Sequence, residues 1–268
     1  MKIKASICQL KVSKDKDFNL DNAAKMIKKA SENGSDLIIL PEMFNCPYEN
    51  DYFVSLAETY PGKTTSMLSD IAKKLGVYVV GGSIPEKDGE KIYNTSYTFD
   101  RKGNLITKYR KTHLFYIKME NGMVFKENNT ISAGNSISVF ETEFCKIGIV
   151  ICYDLRFPEL MRKIALEGAK IIIAPAAFNM ITGPAHWHTL IRARAIDNQV
   201  YFLAASPAKN LKVKYVAYGH SMIVDPWGDI LTEASEGEEI ISANLDLEKL
   251  EKIRKEFPLL LRRRDDLY

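Results

Sequence analysis

The sequence predicts an α/β fold: a single domain in which two β-sheets pack together and helices cover the outer faces. Three observations predict it. Short, continuous Ile/Val/Leu runs alternate with longer amphipathic stretches, the pattern of strands buried on both faces between helices. The alternation occurs once in each half of the chain, which favours two packed sheets over one open sheet. No Pro/Gly/Ser-rich linker, low-complexity stretch or fixed-period repeat divides the 268 residues.

Each element follows from its local pattern. Residues 3–10 read as a strand, and 20–30 as a helix with Ala23, Ala24, Ile27 and Ala30 on one face. A fully apolar strand at 37–40 precedes a helix at 66–75 and a strand at 77–84. Strands at 93–99 and 105–109 flank Asp100-Arg101-Lys102-Gly103-Asn104, a hairpin signal. The second half repeats the grammar with a strand at 147–151 and a helix at 159–167 stopped by Gly168. A strand at 171–174, a helix at 187–196 and a strand at 201–205 follow. Segments 221–224, 230–231 and 240–245 read as β.

Composition excludes several classes of function. The 37 basic and 34 acidic residues nearly cancel to a net charge of +3, so nothing marks a nucleic-acid or membrane partner. Met1-Lys2-Ile3-Lys4 leads into a strand with no apolar h-region, and no apolar run approaches the roughly 20 residues that span a bilayer. Cys8, Cys46, Cys145 and Cys152 show neither CxxC spacing nor disulfide-scaffold density. A cytoplasmic protein with free thiols is the expectation.

In α/β architectures, ligands bind beyond the carboxyl ends of strands. Three reactive side chains fall at such ends: Glu42 after 37–40, Lys111 after 105–109, and Cys152 after 147–151. Alone, each has an ordinary explanation. A glutamate past a strand is usually solvated, a lysine ending a hairpin is usually surface charge, and a cysteine after an apolar strand is usually a core filler. Cys152 is distinguished by the polar turn Tyr153-Asp154-Leu155-Arg156 leading into a helix. There, helix dipoles would lower the thiol pKa.

Other chemistries lack their signatures. His113, His186, His188 and His220 sit in no GxSxG or similar elbow. His186 and His188, at i and i+2, have no accompanying Cys or carboxylate pattern that would hold a metal. Neither GxGxxG nor a Walker loop is present, and Gly81-Gly82 reads as a turn leaving a buried strand.

At the three strand ends the sequence resembles the nitrilase superfamily of carbon–nitrogen hydrolases. The resemblance rests on Leu40-Pro41-Glu42-Met43-Phe44, on Tyr109-Arg110-Lys111-Thr112-His113-Leu114-Phe115, and on residues 148–159 around Cys152-Tyr153-Asp154. It spans residue 1 to about 245, in the family's motif order. It implies a four-layer α-β-β-α sandwich, with residues 1–245 as the hydrolase domain. Residues 246–268 would form a C-terminal helix and tail contacting a partner subunit in a homodimer or higher homo-oligomer. It also implies Glu42 as general base, Lys111 as oxyanion stabiliser, Cys152 as nucleophile, and Glu127 as a second glutamate assisting proton handling.

Within the superfamily the sequence is similar to the omega-amidase branch, through Asn45-Cys46-Pro47-Tyr48, residues 183–187, residues 192–201 and Ala205-Ser206-Pro207-Ala208. That branch hydrolyses the terminal amide of 2-oxoglutaramate and 2-oxosuccinamate. Deaminated glutathione or N-carbamoyl amino acids are the competing substrates, and a catalytically silent ligand-binding module is the competing class. Residues 116–123 depart from the branch, which usually carries an acidic residue after the equivalent of Phe115.

The chemistry implied uses no metal or organic cofactor. A backbone N–H just after the nucleophile, that of Tyr153, would join Lys111 in holding the oxyanion. A small amide bearing a carboxylate needs a cation, and Arg156 is the first candidate. Phe178, Asn179, His186 and Trp187, following the strand at 171–174, are the further candidates for the pocket wall.

Overall fold

The computed structural model describes residues 2–120 and 124–267. The first half contains β1 (Lys2–Gln9), α1 (Lys16–Glu32), β2 (Leu37–Ile39), α2 (Asn50–Ser55), α3 (Lys63–Leu75) and β3 (Tyr78–Val80). It continues through β4 (Ile84–Asp88), β5 (Lys91–Phe99), β6 (Leu105–Arg110), β7 (Tyr116–Lys118) and β8 (Val124–Lys126). The second half contains β9 (Ser138–Glu141), β10 (Lys146–Ile149), α4 (Pro158–Leu166), β11 (Ile171–Pro175) and α5 (Thr182–Asn198). It ends with β12 (Tyr201–Ala205), β13 (Met222–Val224), β14 (Ile230–Glu233), β15 (Glu239–Asp246) and α6 (Leu247–Glu256).

Two mixed sheets form the centre. One runs β15-β1-β2-β3-β5, with β4 sharing the β3 edge of β5 and β6 on its opposite edge. The other runs β14-β13-β12-β11-β10-β9. Strand alternation explains the layers. Ile3, Ala5 and Ile7 of β1, with Leu37 and Ile39 of β2, pack in the same core as Ile147, Ile149 and Ile172 of the second sheet. Ile38 and Val79 point the other way, into a core with Leu20, Ile27 and Leu68 of α1 and α3. Helices α4 and α5 cover the second sheet through Met161, Ile164, Trp187 and Ile191. The result is the α-β-β-α sandwich.

Where the structure departs from the sequence reading, local chemistry explains it. The apolar run at 77–84 is broken after Val80, where Gly82 adopts φ 51°. A Cβ there would stand 2.0 Å from the Pro41 carbonyl oxygen, so only glycine lets the chain press on the segment carrying Glu42. The helix expected at 187–196 starts earlier, at Thr182, because Asn179 Oδ1 accepts hydrogen bonds from the Ile181 and Thr182 amides at 3.0 and 2.8 Å. Pro184 lies in its first turn, where a missing N–H costs nothing. Strands β4, β7, β8 and β9 and helix α2 are short and mix polar or charged residues with the apolar ones, so they lack the continuous apolar run that marks β2 or β11.

Helix α6 is capped by Asp246, whose side chain accepts from the Glu248 and Lys249 amides, and it buries Leu247, Leu250 and Ile253. In the divergent 116–123 segment, Tyr116–Lys118 pairs antiparallel with Val124–Lys126. Residues 121–123 lie outside the described residues.

Candidate active site

The carboxyl ends of β2, β6 and β10 converge, although β2 and β10 belong to different sheets. Glu42, Lys111 and Glu127 have no solvent-exposed side-chain surface. The Lys111 ammonium donates to Glu42 Oε1 at 2.9 Å, to Glu127 Oε2 at 2.8 Å and to the Tyr48 hydroxyl at 3.1 Å. Those three bonds use all three of its donors. Asn94, in the middle of β5, donates through Nδ2 to Glu42 Oε1 at 2.8 Å and to Glu127 Oε1 at 3.0 Å. The Phe115 amide completes the Glu127 shell at 2.7 Å from Oε2.

Cys152 follows β10 on a 3-10 turn, Cys152–Arg156, with φ 47°. That left-handed backbone is uncommon for a residue with a Cβ and marks a constrained site. Met43, immediately after Glu42, is similarly held at φ 50°. The Cys152 sulfur accepts a long hydrogen bond from the Ala177 amide at 3.5 Å.

Asp154 fixes this turn against the Lys111 segment. Its buried carboxylate accepts from the Tyr109 hydroxyl at 2.8 Å, the Ile151 amide at 2.9 Å, the Thr112 hydroxyl at 3.0 Å and the His113 amide at 2.9 Å. One side chain thereby ties the end of β6, in one sheet, to the turn after β10, in the other.

The electrostatics follow from burial. Removal from water raises the Glu42 pKa; Lys111 opposes that shift and Glu127 reinforces it. Burial alone would depress Lys111, but Glu127 and Glu42 outweigh it and hold the amine protonated. Burial also pushes the Cys152 thiol well up, and the Glu42 carboxylate adds to that; Lys111 and the Ala177 amide only partly offset the rise. This corrects the expectation of a thiol acidified by helix dipoles. The turn supplies fewer dipoles than a long helix, and enclosure beside a carboxylate dominates.

A family profile for carbon-nitrogen hydrolases matches residues 4–255. The chain belongs to the carbon–nitrogen hydrolases. It is 49% identical over 267 residues to Omega-amidase NIT2 of Xenopus tropicalis, covering 100% of this chain and 97% of that protein. It is 48% identical over 263 residues to Omega-amidase NIT2 of Mus musculus, with 98% and 95% covered. Among solved structures it resembles Saccharomyces cerevisiae Nit3, a member of branch 10 of the nitrilase superfamily. That match has 46% identity and a TM-score of 0.91, and covers 98% of this chain and 97% of Nit3.

In this hydrolase, Cys152 lines a small cleft together with Phe115, Tyr153, Arg156, Phe178, Thr182 and Tyr215. The Arg156 guanidinium lies 4.8 Å over the Phe178 ring, and its Nη1 is 3.2 Å from His186 Nδ1. A wider cleft of about 770 Å³ opens outside, lined by Tyr48, Phe125, Lys126, Lys214 and Tyr215 among others.

Three expected wall residues are placed elsewhere. Trp187 is buried, its indole N–H donating to the His220 carbonyl at 2.6 Å and its ring packing behind Phe178. Asn179 spends its oxygen on starting α5 and is not among the residues lining the cleft. His186 is exposed and reaches the site only through Arg156.

Sequence reasoning missed Asn94, Asp154, Tyr48 and Ala177. Asn94 had a signal: it opens a run of buried polar residues, Asn94-Thr95-Ser96, in a strand that should be apolar. Tyr48 and Ala177 are recruited by tertiary folding alone.

Proposed function

We propose that this hydrolase is an omega-amidase, a thiol-dependent enzyme that hydrolyses the terminal amide of a small 2-oxo dicarboxylate monoamide such as 2-oxoglutaramate. The observation that carries the reading is the enclosed Glu42–Lys111–Glu127 cluster set against Cys152 on its left-handed turn, with the Arg156 cation on the wall of the same cleft. The names of the relatives cited above support the substrate class.

In this reading Glu42 takes the thiol proton as the Cys152 sulfur bonds to the amide carbon. A carboxylate of raised pKa and a thiol of raised pKa suit a proton that moves with the attack, not before it. The oxyanion is held by Lys111 and the backbone N–H of Tyr153. Because the Lys111 donors are fully used, the oxyanion takes the place of the weakest partner, Tyr48, without disturbing the carboxylates. Glu42 then protonates the departing nitrogen, ammonia leaves, and a thioester remains. Water enters, gives its proton to Glu42 and attacks the thioester carbon. Collapse of that adduct returns the proton to sulfur and frees the dicarboxylate.

Arg156, stiffened by Phe178, binds the remote carboxylate as a planar fork. Asn94 and Glu127 keep Lys111 and Glu42 in register. We place the enzyme in the cytoplasm as a homodimer or higher homo-oligomer contacted by residues 246–268; exposed Trp227, Phe257 and Leu261 supply apolar surface there.

The test is ammonia release from 2-oxoglutaramate by the wild-type protein and by Cys152→Ala. The expected loss is at least ~10⁴-fold with the fold intact, as for removal of a nucleophile elsewhere. Activity that survives the substitution overturns the nucleophile. A faster wild-type reaction with deaminated glutathione or an N-carbamoyl amino acid overturns the substrate.

A further inference from the structure

We propose that His188, His220 and Glu233 form a binding site for a divalent transition-metal ion of the zinc class, separate from the thiol site. The three residues come from α5, from the loop before β13 and from the end of β14. His188 Nε2 lies 2.8 Å from Glu233 Oε1, and His220 Nδ1 lies 3.0 Å from the same oxygen. The three candidate ligand atoms all fall within 4.8 Å of one another, and all three residues are half-buried.

Two imidazole nitrogens and a carboxylate oxygen are a borderline donor set suited to Zn²⁺, Co²⁺ or Ni²⁺. Three protein ligands leave a fourth tetrahedral position for water. Metal–ligand bonds of about 2.0–2.1 Å place tetrahedral donors about 3.3 Å apart, so the two nitrogen–oxygen spacings need to open by only a few tenths of an ångström, while the two ring nitrogens start within 4.8 Å of each other. The ion would replace the hydrogen bonds that now link both rings to one carboxylate oxygen.

The backbone is arranged to aim His220. It stands at φ 57°, following Gly219 at φ 79°, so two consecutive residues are left-handed. A Cβ on Gly219 would meet Glu236 Cα at 2.9 Å, so the loop lies tight against the β14–β15 connection. The His220 amide donates to the Ser235 carbonyl at 3.1 Å, and its own carbonyl accepts the Trp187 indole N–H at 2.6 Å. Its ring stacks on Tyr218, with centroids 4.3 Å apart. An uncommon conformation pinned from both sides is the kind that persists for a function. Trp187 is next to His188 and packs on Phe178, so an ion here would brace the wall carrying Arg156. The i, i+2 pair His186 and His188 misleads in sequence. The partners of His188 lie 32 and 45 residues away.

The test titrates Zn²⁺ into metal-stripped, full-length Cys152→Ala protein, in which the active-site thiol cannot compete. One saturable equivalent is expected, weakened at least ~10-fold by His188→Ala and by Glu233→Gln, with unchanged circular dichroism in both. Co²⁺ in place of Zn²⁺ should give visible absorption bands of a low-symmetry, four-coordinate site, lost in either variant. Absence of saturable binding below about 1 mM overturns the proposal, as does unchanged affinity in the folded variants. If both variants misfold, the Co²⁺ spectrum of the parent decides: only six-coordinate, aqueous-type absorption overturns the site.

Discussion

Arg110 and Lys111 are consecutive residues at the end of β6, each meets a buried glutamate, and the two clusters have opposite character. Glu86 accepts from Arg110 Nε and Nη2 at 2.7 and 2.8 Å, from Lys108 at 3.0 Å and from the Thr95 hydroxyl at 2.7 Å. Burial alone would raise its pKa, but those donors bring it down to about 2. Glu42 has the reverse ratio. It shares one ammonium with Glu127 under complete burial, and its pKa is raised. Two cations on one carboxylate lock it as an anion; one cation between two carboxylates leaves a group ready to accept a proton. Adjacent positions along the chain thus build an ion pair that locks its carboxylate as an anion and a cluster whose carboxylate can accept a proton, the role proposed above for Glu42.

The largest effect that could break this contrast comes from removing each cation in turn. Lys111→Met should lower kcat by roughly 10³-fold, the loss expected of an oxyanion donor in the role proposed for Lys111. It should also destabilise by about 3–5 kcal/mol, because two buried carboxylates lose their counter-charge. Arg110→Met, one residue earlier, should cost about 1–3 kcal/mol through lost charge-assisted bonds to Glu86 and leave kcat within a few-fold. Steady-state ammonia release and urea unfolding on both proteins measure the two quantities. A comparable fall in kcat for Arg110→Met would show that the outer cluster positions Lys111, and the division between structural and chemical pairs would fail.

This contrast also indicates what can be read in the chain. Glu42, Lys111 and Cys152 are legible because each ends a recognisable strand, and strand ends collect at one edge of an α/β sheet. The layers are legible because apolar alternation on β1 and β2 feeds two cores. Asp154 is not legible: two residues past a cysteine, it resembles any turn aspartate until Tyr109, Thr112 and His113 close around it. The direction of the Cys152 pKa shift is equally hidden. It depends on burial and on a carboxylate 110 residues earlier in the chain, not on the local turn. Trp187 misleads because an aromatic after a strand fits a pocket wall and a helix core equally well.

A smaller effect would sharpen the contrast by locating a third cation. Arg156 is partly exposed, stacks on Phe178 and has His186 as its side-chain neighbour. It is thus a charge available to substrate, unlike Arg110 or Lys111. Arg156→Ala should raise KM for 2-oxoglutaramate by roughly 10–100-fold, the loss of a bidentate carboxylate contact, with a lesser change in kcat. A neutral amide of the same length should show no such change in KM. Equal losses on both substrates would mean that Arg156 supports the turn and does not bind the carboxylate.

The smallest effect tests the outer glutamate by titration. A carboxylate whose folded pKa lies below its unfolded value of about 4.3 stabilises the fold fully above that value, and the contribution is lost as pH falls through the folded pKa. For Glu86 that window runs from about 4.3 down to about 2. Allowing for solvent around Lys108, the contribution is on the order of 2 kcal/mol. Glu86→Gln lacks it, so the stability gap between wild type and variant, measured by urea unfolding from pH 7 to pH 3, should be constant above pH 5 and narrow below it. Glu42→Gln should move the other way. The native state binds its proton more tightly than the unfolded chain does, so ionising Glu42 costs stability as pH rises, and the substitution relieves that cost at neutral pH. Parallel curves for the two variants would mean that both glutamates titrate alike, and the assignment of one to structure and one to proton transfer would have no electrostatic basis.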